Sequence, residues 1–457
     1  MDTQANSIDC AAAANPRRNF LRVAAAPLGS LLLGACGGGA TSAPATQGAL
    51  AAPAVGNTVT LAATIAAPTP APAAVAPPPP APAPAANTPP QSPVNPPTPI
   101  GQVPAWVANL PLWQWYEIPN TALSSVEPVV RPLGITGSSS KIDAWCGAAL
   151  KRSGSVYMLG AAGGHADYAG NEVNALALNV AAPQWVELRG PTPNADIIDA
   201  AQFYLDNRPG AAHTYYASQF IESLDRMMVF ASPGPFGWLY PATPSGYPYV
   251  GDKRSFSFSV AAGDWDAPDY VAQFPGSGDQ FAGLCVKHPW TDDVYYSRNY
   301  GSGWYRWTRV SNSWTRLSST TRAPWYAGSA IDPLRNRMLV VGGYNPSAPE
   351  VHNLDGSSVA ATFGGLGASA LVVTNYPGVI YDEALDRYLV VYNDSSGIKV
   401  LRVHPETWLV DAPSLTGTIP AARPNGIQNS AQYVPELKGF VIANSYGGNV
   451  WFVRTVA

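Results

Sequence analysis

Residues 331–341 read Ile-Asp-Pro-Leu-Arg-Asn-Arg-Met-Leu-Val-Val, and residues 381–391 read Tyr-Asp-Glu-Ala-Leu-Asp-Arg-Tyr-Leu-Val-Val. Each stretch combines the end of a strand, a polar turn and an apolar run of strand length. Residues 220–230 and 433–443 have the same form. The apolar runs are continuous rather than alternating, which is typical of strands buried on both faces. The pattern predicts a repeated hairpin of buried strands.

A second signal lies downstream of most of these hairpins, where a strand, a tight turn and a Trp follow one another. It is found at residues 180–185, 260–265, 310–314 and 403–408. Four strands per unit, repeated about every 50 residues, predict an all-β fold, a β-propeller. The first strands are expected to start near Ala144, His213, Phe281, Tyr326, Pro377 and Ile427. This gives six blades, and the longer intervals leave room for a seventh.

The two ends of the repeated region fit a closed ring. Residues 115–118, Trp-Tyr-Glu-Ile, resemble the fourth strand at 185–188, Trp-Val-Glu-Leu. Residues 449–453 resemble a third strand. We therefore expect the early strand to complete the last blade, which would remove the open seam of the ring.

These units resemble Kelch-type propellers, the architecture of the galactose oxidase central domain. The resemblance is carried by the apolar run and glycine pair at 157–164, by Val340-Val-Gly-Gly343 and by the Trp residues above, over about residues 105–457. It implies a six-bladed, or seven-bladed, Kelch-like β-propeller.

Composition excludes several classes of function. Only 12% of the residues are charged and the formal net charge is −4, so the basic stripe of a nucleic-acid-binding protein is missing. The four Cys residues form no Cys-x-x-Cys pair that would indicate a zinc ribbon. A phosphate-binding glycine loop, a His-Glu-x-x-His helix and a Gly-x-Ser-x-Gly elbow are missing as well.

Residues 1–36 resemble a lipoprotein export signal. Arg17-Arg18 is followed by Phe-Leu-Arg, as in the twin-arginine type, and a short apolar stretch ends at Leu33-Gly-Ala-Cys36, which resembles a lipobox. The resemblance implies lipidation of Cys36 and membrane attachment through that lipid. Gly37, instead of Asp, favours the outer membrane, with the domain either periplasmic or exposed at the cell surface.

Residues 37–104 are rich in Ala and Pro, and no Asp, Glu, Lys or Arg occurs from Gly37 to Val103. Such a segment cannot bury a core, so a disordered, semi-rigid linker is expected. All 14 Trp lie after residue 105, where the propeller, residues 105–457, is expected to start.

In a four-stranded meander, the loops between strands 2 and 3 share one face with the connections between blades. Aromatic rings together with Asn and Asp suit sugar rings, which have apolar faces and hydroxyl edges. The expected ligand-binding residues on this face are Asp167, Asn171, Glu172, Trp238, Arg298, Asn299, Tyr300, Trp325, Tyr326, Asn345, Asn393, Asn444 and Tyr446. Ordinary solvated turns have the same composition.

Two of the five His residues, His165 and His213, are expected on this face near adjacent blades. With Tyr168 or Tyr215 they could form a base–acid set of the kind that removes a proton beside a uronate carboxylate. The alternative, which we favour, is that His165 holds the loop of blade 1 by hydrogen bonds. His288 and His404 are expected in exposed turns, while His352 is uninformative.

The galactose oxidase resemblance also raises copper chemistry. That site uses two Tyr and two His, with one Tyr cross-linked to a Cys, and Cys146 with Tyr215 or Tyr216 resembles part of it. No Tyr-His dipeptide occurs and no His follows His404, so copper ligands are missing and no metal site is predicted. Cys146 is more simply a small buried residue.

The expected function is therefore binding of a glycan or protein ligand by a monomeric propeller tethered to a membrane. The alternative is a secreted carbohydrate-active enzyme, a polysaccharide lyase rather than a copper oxidase. The sequence identifies no cofactor, and no nucleic acid partner is expected.

Overall fold

The repeated strand–turn–strand motif forms the inner half of each blade of a six-bladed β-propeller. The computed structural model describes residues 103–163, 167–198, 201–230, 255–275, 283–297, 303–318, 326–343 and 347–457. These residues form six four-stranded antiparallel sheets, which confirms the predicted all-β fold. The predictions for residues 1–102 lie outside the described residues.

Blades 1 to 5 each use four consecutive strands, ordered from the channel outward. Their bounds in blades 1 and 2 are β2 (Ala149–Lys151), β3 (Val156–Gly160), β4 (Val173–Ala177), β5 (Trp185–Arg189), β6 (Ser218–Ile221), β7 (Arg226–Val229), β8 (Phe256–Ser259) and β9 (Asp264–Trp265). Blade 3 contains β10 (Leu284–Lys287), β11 (Val294–Ser297), β12 (Trp304–Thr308) and β13 (Ser313–Ser318). Blades 4 and 5 contain β14 (Gly328–Asp332), β15 (Arg337–Val341), β16 (Glu350–Asn353), β17 (Ser358–Val359), β18 (Gly378–Asp382), β19 (Arg387–Asp394), β20 (Gly397–Val403) and β21 (Val410–Asp411).

Blade 6 is assembled from both ends of the described chain. It contains β22 (Ala431–Val434), β23 (Gly439–Ile442) and β24 (Trp451–Arg454), and its outer strand is β1 (Trp115–Glu117). Trp115 lies opposite Val453 in the antiparallel register. The predicted closure of the ring is therefore confirmed.

Short helices decorate the connections: α1 (Ala105–Ala108), α2 (Ser140–Asp143) and α3 (Ala368–Val373). Short 3-10 turns cover residues 123–126, 194–196, 222–224, 428–430 and 435–437. Within the described part of the chain, none of the helices has the length and apolarity needed to cross a membrane.

The turn between the first and second strands has one shared feature in all six blades, a residue with positive φ. These residues are Ser155, Asp225, Asp292, Asn336, Asp386 and Lys438. Asn and Asp tolerate this left-handed conformation better than most side chains, which explains their place in the repeated motif. In blade 4, Asp332 Oδ1 also accepts hydrogen bonds from the main-chain N–H groups of Leu334 and Arg335.

Two expectations were wrong. The first strands begin one to five residues later than expected, because the residues before them form the connections between blades. His288 is not exposed: it is buried, and its Nδ1 accepts from the main-chain N–H groups of Trp290 and Thr291. His288 thus stabilises the turn of blade 3 as Asp332 stabilises that of blade 4, because each side chain accepts from the main-chain N–H groups two and three residues later. His404 is half-buried in the turn of blade 5, and His352 is buried.

Candidate functional site

The loops between second and third strands and the connections between blades share one face, which we call the upper face. Asp167, in the loop of blade 1, contacts His213, in the connection to blade 2. The loop of blade 5 contacts the connection to blade 6 in the same way, because Asn393 and Arg423 exchange two hydrogen bonds of 2.8 and 3.1 Å. This arrangement confirms the expected topology.

A continuous row of rings lines the upper end of the central channel, and we call it the aromatic row. It runs Trp145, His213, Tyr215, Tyr326, Tyr376, with successive ring-centroid distances of 5.1, 5.7, 5.5 and 4.8 Å. These residues lie in the connections to blades 1, 2, 4 and 5. Trp145 and Tyr376 are half-buried, whereas the three rings between them are buried.

Three tyrosines of this row adopt an uncommon backbone conformation. Tyr215, Tyr326 and Tyr376 have φ of 45°, 60° and 49°. Positive φ is strained for a bulky side chain, at a cost on the order of 1–3 kcal/mol each, and such strain concentrates at functional sites. The repetition of one strained conformation by one residue type in three connections marks the row as a candidate site.

The floor of the row is formed by a tyrosine and an arginine. The hydroxyl of Tyr216 lies 2.9 Å from the carbonyl oxygen of Tyr326 and 3.0 Å from that of Pro377. Burial raises the pKa of Tyr216 well above its usual range, so it stays a neutral donor.

Arg423 is the second floor residue and is only 2% exposed. Its guanidinium donates to the carbonyl oxygens of Gly426 and Cys146, both at 2.6 Å, and its Nε has no partner within the described part of the chain. Gly426 packs against Tyr376, and Cys146 follows Trp145 in the chain. Arg423 therefore joins the connections that carry the two ends of the row.

His213 is held at both ring nitrogens. Its Nε2 lies 3.0 Å from Asp167 Oδ2 and its Nδ1 lies 3.4 Å from the Tyr215 hydroxyl. Thr136 donates to the other carboxylate oxygen of Asp167 at 3.0 Å. If Nε2–H donates to the carboxylate, Nδ1 is left to accept from Tyr215. The set can orient a tyrosine proton toward an imidazole, and it can equally fix the ring as part of a wall.

Three other predicted residues of blade 1 lie in the protein interior. Tyr168 donates to Glu172 Oε1 at 2.8 Å, and Lys141 Nζ lies 2.8 Å from the same oxygen. Burial, followed by the charge of Glu172, raises the pKa of Tyr168. Asn171 bonds to Thr192 and to the carbonyl oxygen of Pro209. Tyr168, Asn171 and Glu172 thus brace the loop that carries Asp167.

The predicted residues of blades 5 and 6 also brace the upper face. Asn393 holds the main chain of Arg423, as described above. Asn444 is 5% exposed and donates to the carbonyl oxygen of Ala421 at 2.9 Å. The Lys141 ammonium lies 5.7 Å from the ring centroid of half-buried Tyr446.

Several predicted site residues lie outside the described residues, and the suggested pairing of His165 with His213 therefore stays a prediction. They are His165, Trp238, Arg298, Asn299, Tyr300, Trp325 and Asn345, together with the lipidation residue Cys36. Among the predicted residues that are described, the structure brings together Asp167, His213, Tyr215 and Tyr326.

Sequence reasoning missed Trp145, Tyr376 and Arg423. Trp145 and Tyr376 could have been found by aligning the residues just upstream of each first strand, where Tyr215 and Tyr326 also lie. Arg423 had no comparable local signal, because its role depends on Cys146, which lies 277 residues before it.

Cys146 is a small buried residue, as expected, and packs with Ala144 and Ala162. Burial raises the pKa of its thiol to about 11, so the unreactive protonated form dominates at neutral pH. Within the described ranges, no group of three or more His, Cys, Asp or Glu is arranged to hold a metal ion.

No protein-family model matches the chain, and no curated protein matches it. Among solved structures, the chain is similar to a structural genomics protein of unknown function from Bacteroides thetaiotaomicron. The identity is 11%, the TM-score is 0.43, and the match covers 74% of this chain and 75% of the other.

Proposed function

We propose that the propeller binds a carbohydrate on its upper face, over the aromatic row. The observation that carries the proposal is the unbroken series of five rings from Trp145 to Tyr376 around the channel. Aromatic faces pack against the C–H faces of sugar rings, and nearby polar groups select the hydroxyls.

The exposure of the row supports this ligand class. Trp145 and Tyr376 are half-buried, so part of each ring remains accessible, while the rings between them are buried and fixed. The side chain of Asp167 is 25% exposed and offers a carboxylate beside the row. A rigid aromatic surface loses little conformational entropy on binding. A protein partner is the competing ligand, and it would need a contact of about 800 Å² on each side.

The test uses the full-length protein and titrates it with soluble neutral and uronate-containing oligosaccharides, followed by calorimetry and Trp fluorescence. We expect Trp145→Ala and Tyr376→Ala each to weaken binding about tenfold, which corresponds to about 1.4 kcal/mol. Tyr270→Ala, a change of an exposed tyrosine outside the row, is the matched control and should bind as the parent does. Equal binding by all four proteins, or no binding of any sugar, would reject the proposal.

We also propose that the protein is exported and anchored in the outer membrane through a lipid on Cys36, with residues 37–104 as a spacer. The support is the order of the Arg pair, the apolar stretch and the Cys in residues 17–36. Metabolic labelling with a fatty acid should mark the parent protein and leave Cys36→Ala unlabelled. Labelling of that variant, or recovery of the parent in the soluble fraction, would contradict the anchor.

A second candidate function is β-elimination at a uronate, and the Asp167–His213–Tyr215 contacts favour it. In such a reaction a base removes the proton beside the carboxylate, the C–O bond to the leaving sugar breaks, and a proton passes to the leaving oxygen. His213 and Tyr215 would serve as base and acid. His213→Phe should abolish formation of the unsaturated, ultraviolet-absorbing product while keeping a ring in the row. If the parent protein binds the oligosaccharide but forms no unsaturated product, the elimination reaction is rejected and carbohydrate binding remains as the function.

A further inference from the structure

The central channel contains a cavity of about 110 Å³ below the floor of the aromatic row. The second residue of each innermost strand lines it: Leu150, Gln219, Cys285, Ser329, Val379 and Gln432. Toward the lower face, where the turns between first and second strands lie, the lining becomes charged. Arg152, Lys287 and Glu383 contribute there, one each from blades 1, 3 and 5.

Glu383 lies at the lower end of the cavity and contacts residues of two other blades. Its Oε1 lies 2.7 Å from Arg152 Nη2, and its Oε2 accepts from Trp290 Nε1 at 3.3 Å. These contacts join turns of blades 1, 3 and 5 across the channel. Each carboxylate oxygen of Glu383 therefore has one partner, a guanidinium or an indole N–H.

Two polar atoms that line the cavity are buried and have no partner among the residues that the structure describes. They are Arg152 Nε, in a residue only 8% exposed, and Ser329 Oγ. Lys287 Nζ has three protons and one acceptor, Asp292 Oδ1 at 3.3 Å, which lies outside the lining. Buried donors in native proteins nearly always have an acceptor, so this surplus points to a ligand that supplies acceptors.

We propose that this cavity binds a small oxyanion, namely a carboxylate or inorganic phosphate or sulfate, through Arg152, Lys287 and Ser329. The lining carries two cationic side chains and one carboxylate, so its formal charge is positive. A water molecule takes up about 30 Å³, so the cavity has the volume of about three to four water molecules, which is the size range of a small oxyanion. Oxyanions accept charge-assisted hydrogen bonds from guanidinium and ammonium groups at short range. The cavity is lined by other residues than those of the aromatic row, so the two sites are separate.

Burial raises the pKa of the Cys285 thiol, so this residue adds no negative charge to the cavity. The remaining lining is apolar, amide or tyrosine. The hydroxyls of Tyr381 and Tyr433 already bond to Asp386 and Asp382. Gln219 and Gln432 already donate to main-chain carbonyl oxygens, among them those of Cys285 and Ala148. The three proposed contacts are therefore the groups able to hold an anion.

The experiment titrates the full-length protein with inorganic phosphate, sulfate, acetate and succinate at constant ionic strength, with chloride as the reference salt. Calorimetry and thermal unfolding are read in parallel, because a ligand that binds the folded state raises the melting temperature in a saturable way. We expect saturable binding either of phosphate and sulfate or of the two carboxylates. Lys287→Gln should weaken that binding by at least tenfold, and Ser329→Ala should weaken it by about threefold.

Arg152→Gln should remove the binding, but this variant also loses the contact to Glu383 and can lose stability. Ser329→Ala keeps every ion pair, so a loss of anion binding in this variant cannot be attributed to a lost ion pair. Arg189→Gln, a change in the outer strand of blade 1, is the matched control and should bind the anion as the parent does. The proposal is overturned if no anion exceeds chloride, or if Ser329→Ala and Lys287→Gln bind it like the parent. Sugar binding at the aromatic row should be unchanged in both variants.

Discussion

Tyr216 donates its hydroxyl across the propeller to the carbonyl oxygen of Pro377, 161 residues later in the chain, at 3.0 Å. The same hydroxyl lies 2.9 Å from the carbonyl oxygen of Tyr326. One side chain therefore connects the segments before blades 2, 4 and 5. This contact fixes the connections that carry Tyr215, Tyr326 and Tyr376.

Tyr216→Phe should destabilise the protein by about 1–2 kcal/mol, because the carbonyl oxygens of Tyr326 and Pro377 lose the single O–H donor that they share, while the ring is kept. Urea unfolding followed by circular dichroism measures the change. Tyr270→Phe removes an exposed tyrosine hydroxyl and should alter stability by less than about 0.5 kcal/mol. Equal effects of the two changes would show that the contact across the channel contributes nothing.

The buried ion pair of Lys141 and Glu172 should behave differently when one or both partners are removed. Both residues are 1% exposed. Lys141→Met or Glu172→Gln alone should cost about 3–5 kcal/mol, because the remaining partner keeps an uncompensated buried charge or donor.

The double change Lys141→Met, Glu172→Gln should cost much less than the sum of the same two single changes, since no buried charge remains. Guanidinium unfolding of the four proteins gives the coupling energy. Strictly additive single changes would contradict a direct pair. The matched surface pair is Arg402 and Asp411, at 2.6 Å, whose loss should cost less than about 1 kcal/mol.

Stability should depend on pH through His288. Burial lowers the pKa of this imidazole below its usual 6.5, because the charged form is poorly solvated. The folded protein then binds fewer protons than the unfolded chain just below pH 6.5, so stability is complete above that pH and declines as the pH falls through it. Protonation would also displace the Trp290 and Thr291 N–H groups from Nδ1.

The measurement is urea unfolding at pH 7.5 and pH 5. His288→Gln should be less stable than the parent at pH 7.5, and the difference should shrink at pH 5. His404→Gln is the control, because half-buried His404 accepts from the N–H groups of Glu406 and Thr407 in the matching way. A pH profile of His288→Gln parallel to that of the parent would contradict the role of His288.

The blade repeat was predictable because it is local. The motif around Asn336 and Asp386 encodes a turn with a left-handed residue between two buried strands, and that turn has the same form wherever the motif occurs. The start of each first strand was less predictable. Tyr215 and Tyr326 are residue types that favour strands, but in the ring they adopt left-handed turns.

For the candidate site, the sequence predicted which loops share a face, but not which of their side chains contact one another. Topology places Asp167 and His213 together, although 46 residues separate them. The burial of Glu172 could not be foreseen, because its partner Lys141 belongs to the connection before blade 1 and no local pattern links them. Pairing of polar side chains across blades depends on the packing of the finished ring.

Closure of the ring depends on Trp115, which is 3% exposed and packs edge-on against Phe440 and Trp451 at centroid distances of 5.6 and 6.5 Å. Trp115→Ala should cost about 3–5 kcal/mol, because it leaves a cavity between β1 and the strands of blade 6. Trp113→Ala, two residues earlier and half-buried, should cost clearly less. Denaturant unfolding gives both values, and hydrogen exchange at β24 should rise most in Trp115→Ala, since Val453 lies opposite Trp115. If the Trp113 change were the more damaging one, the early strand would not be the element that seals the propeller.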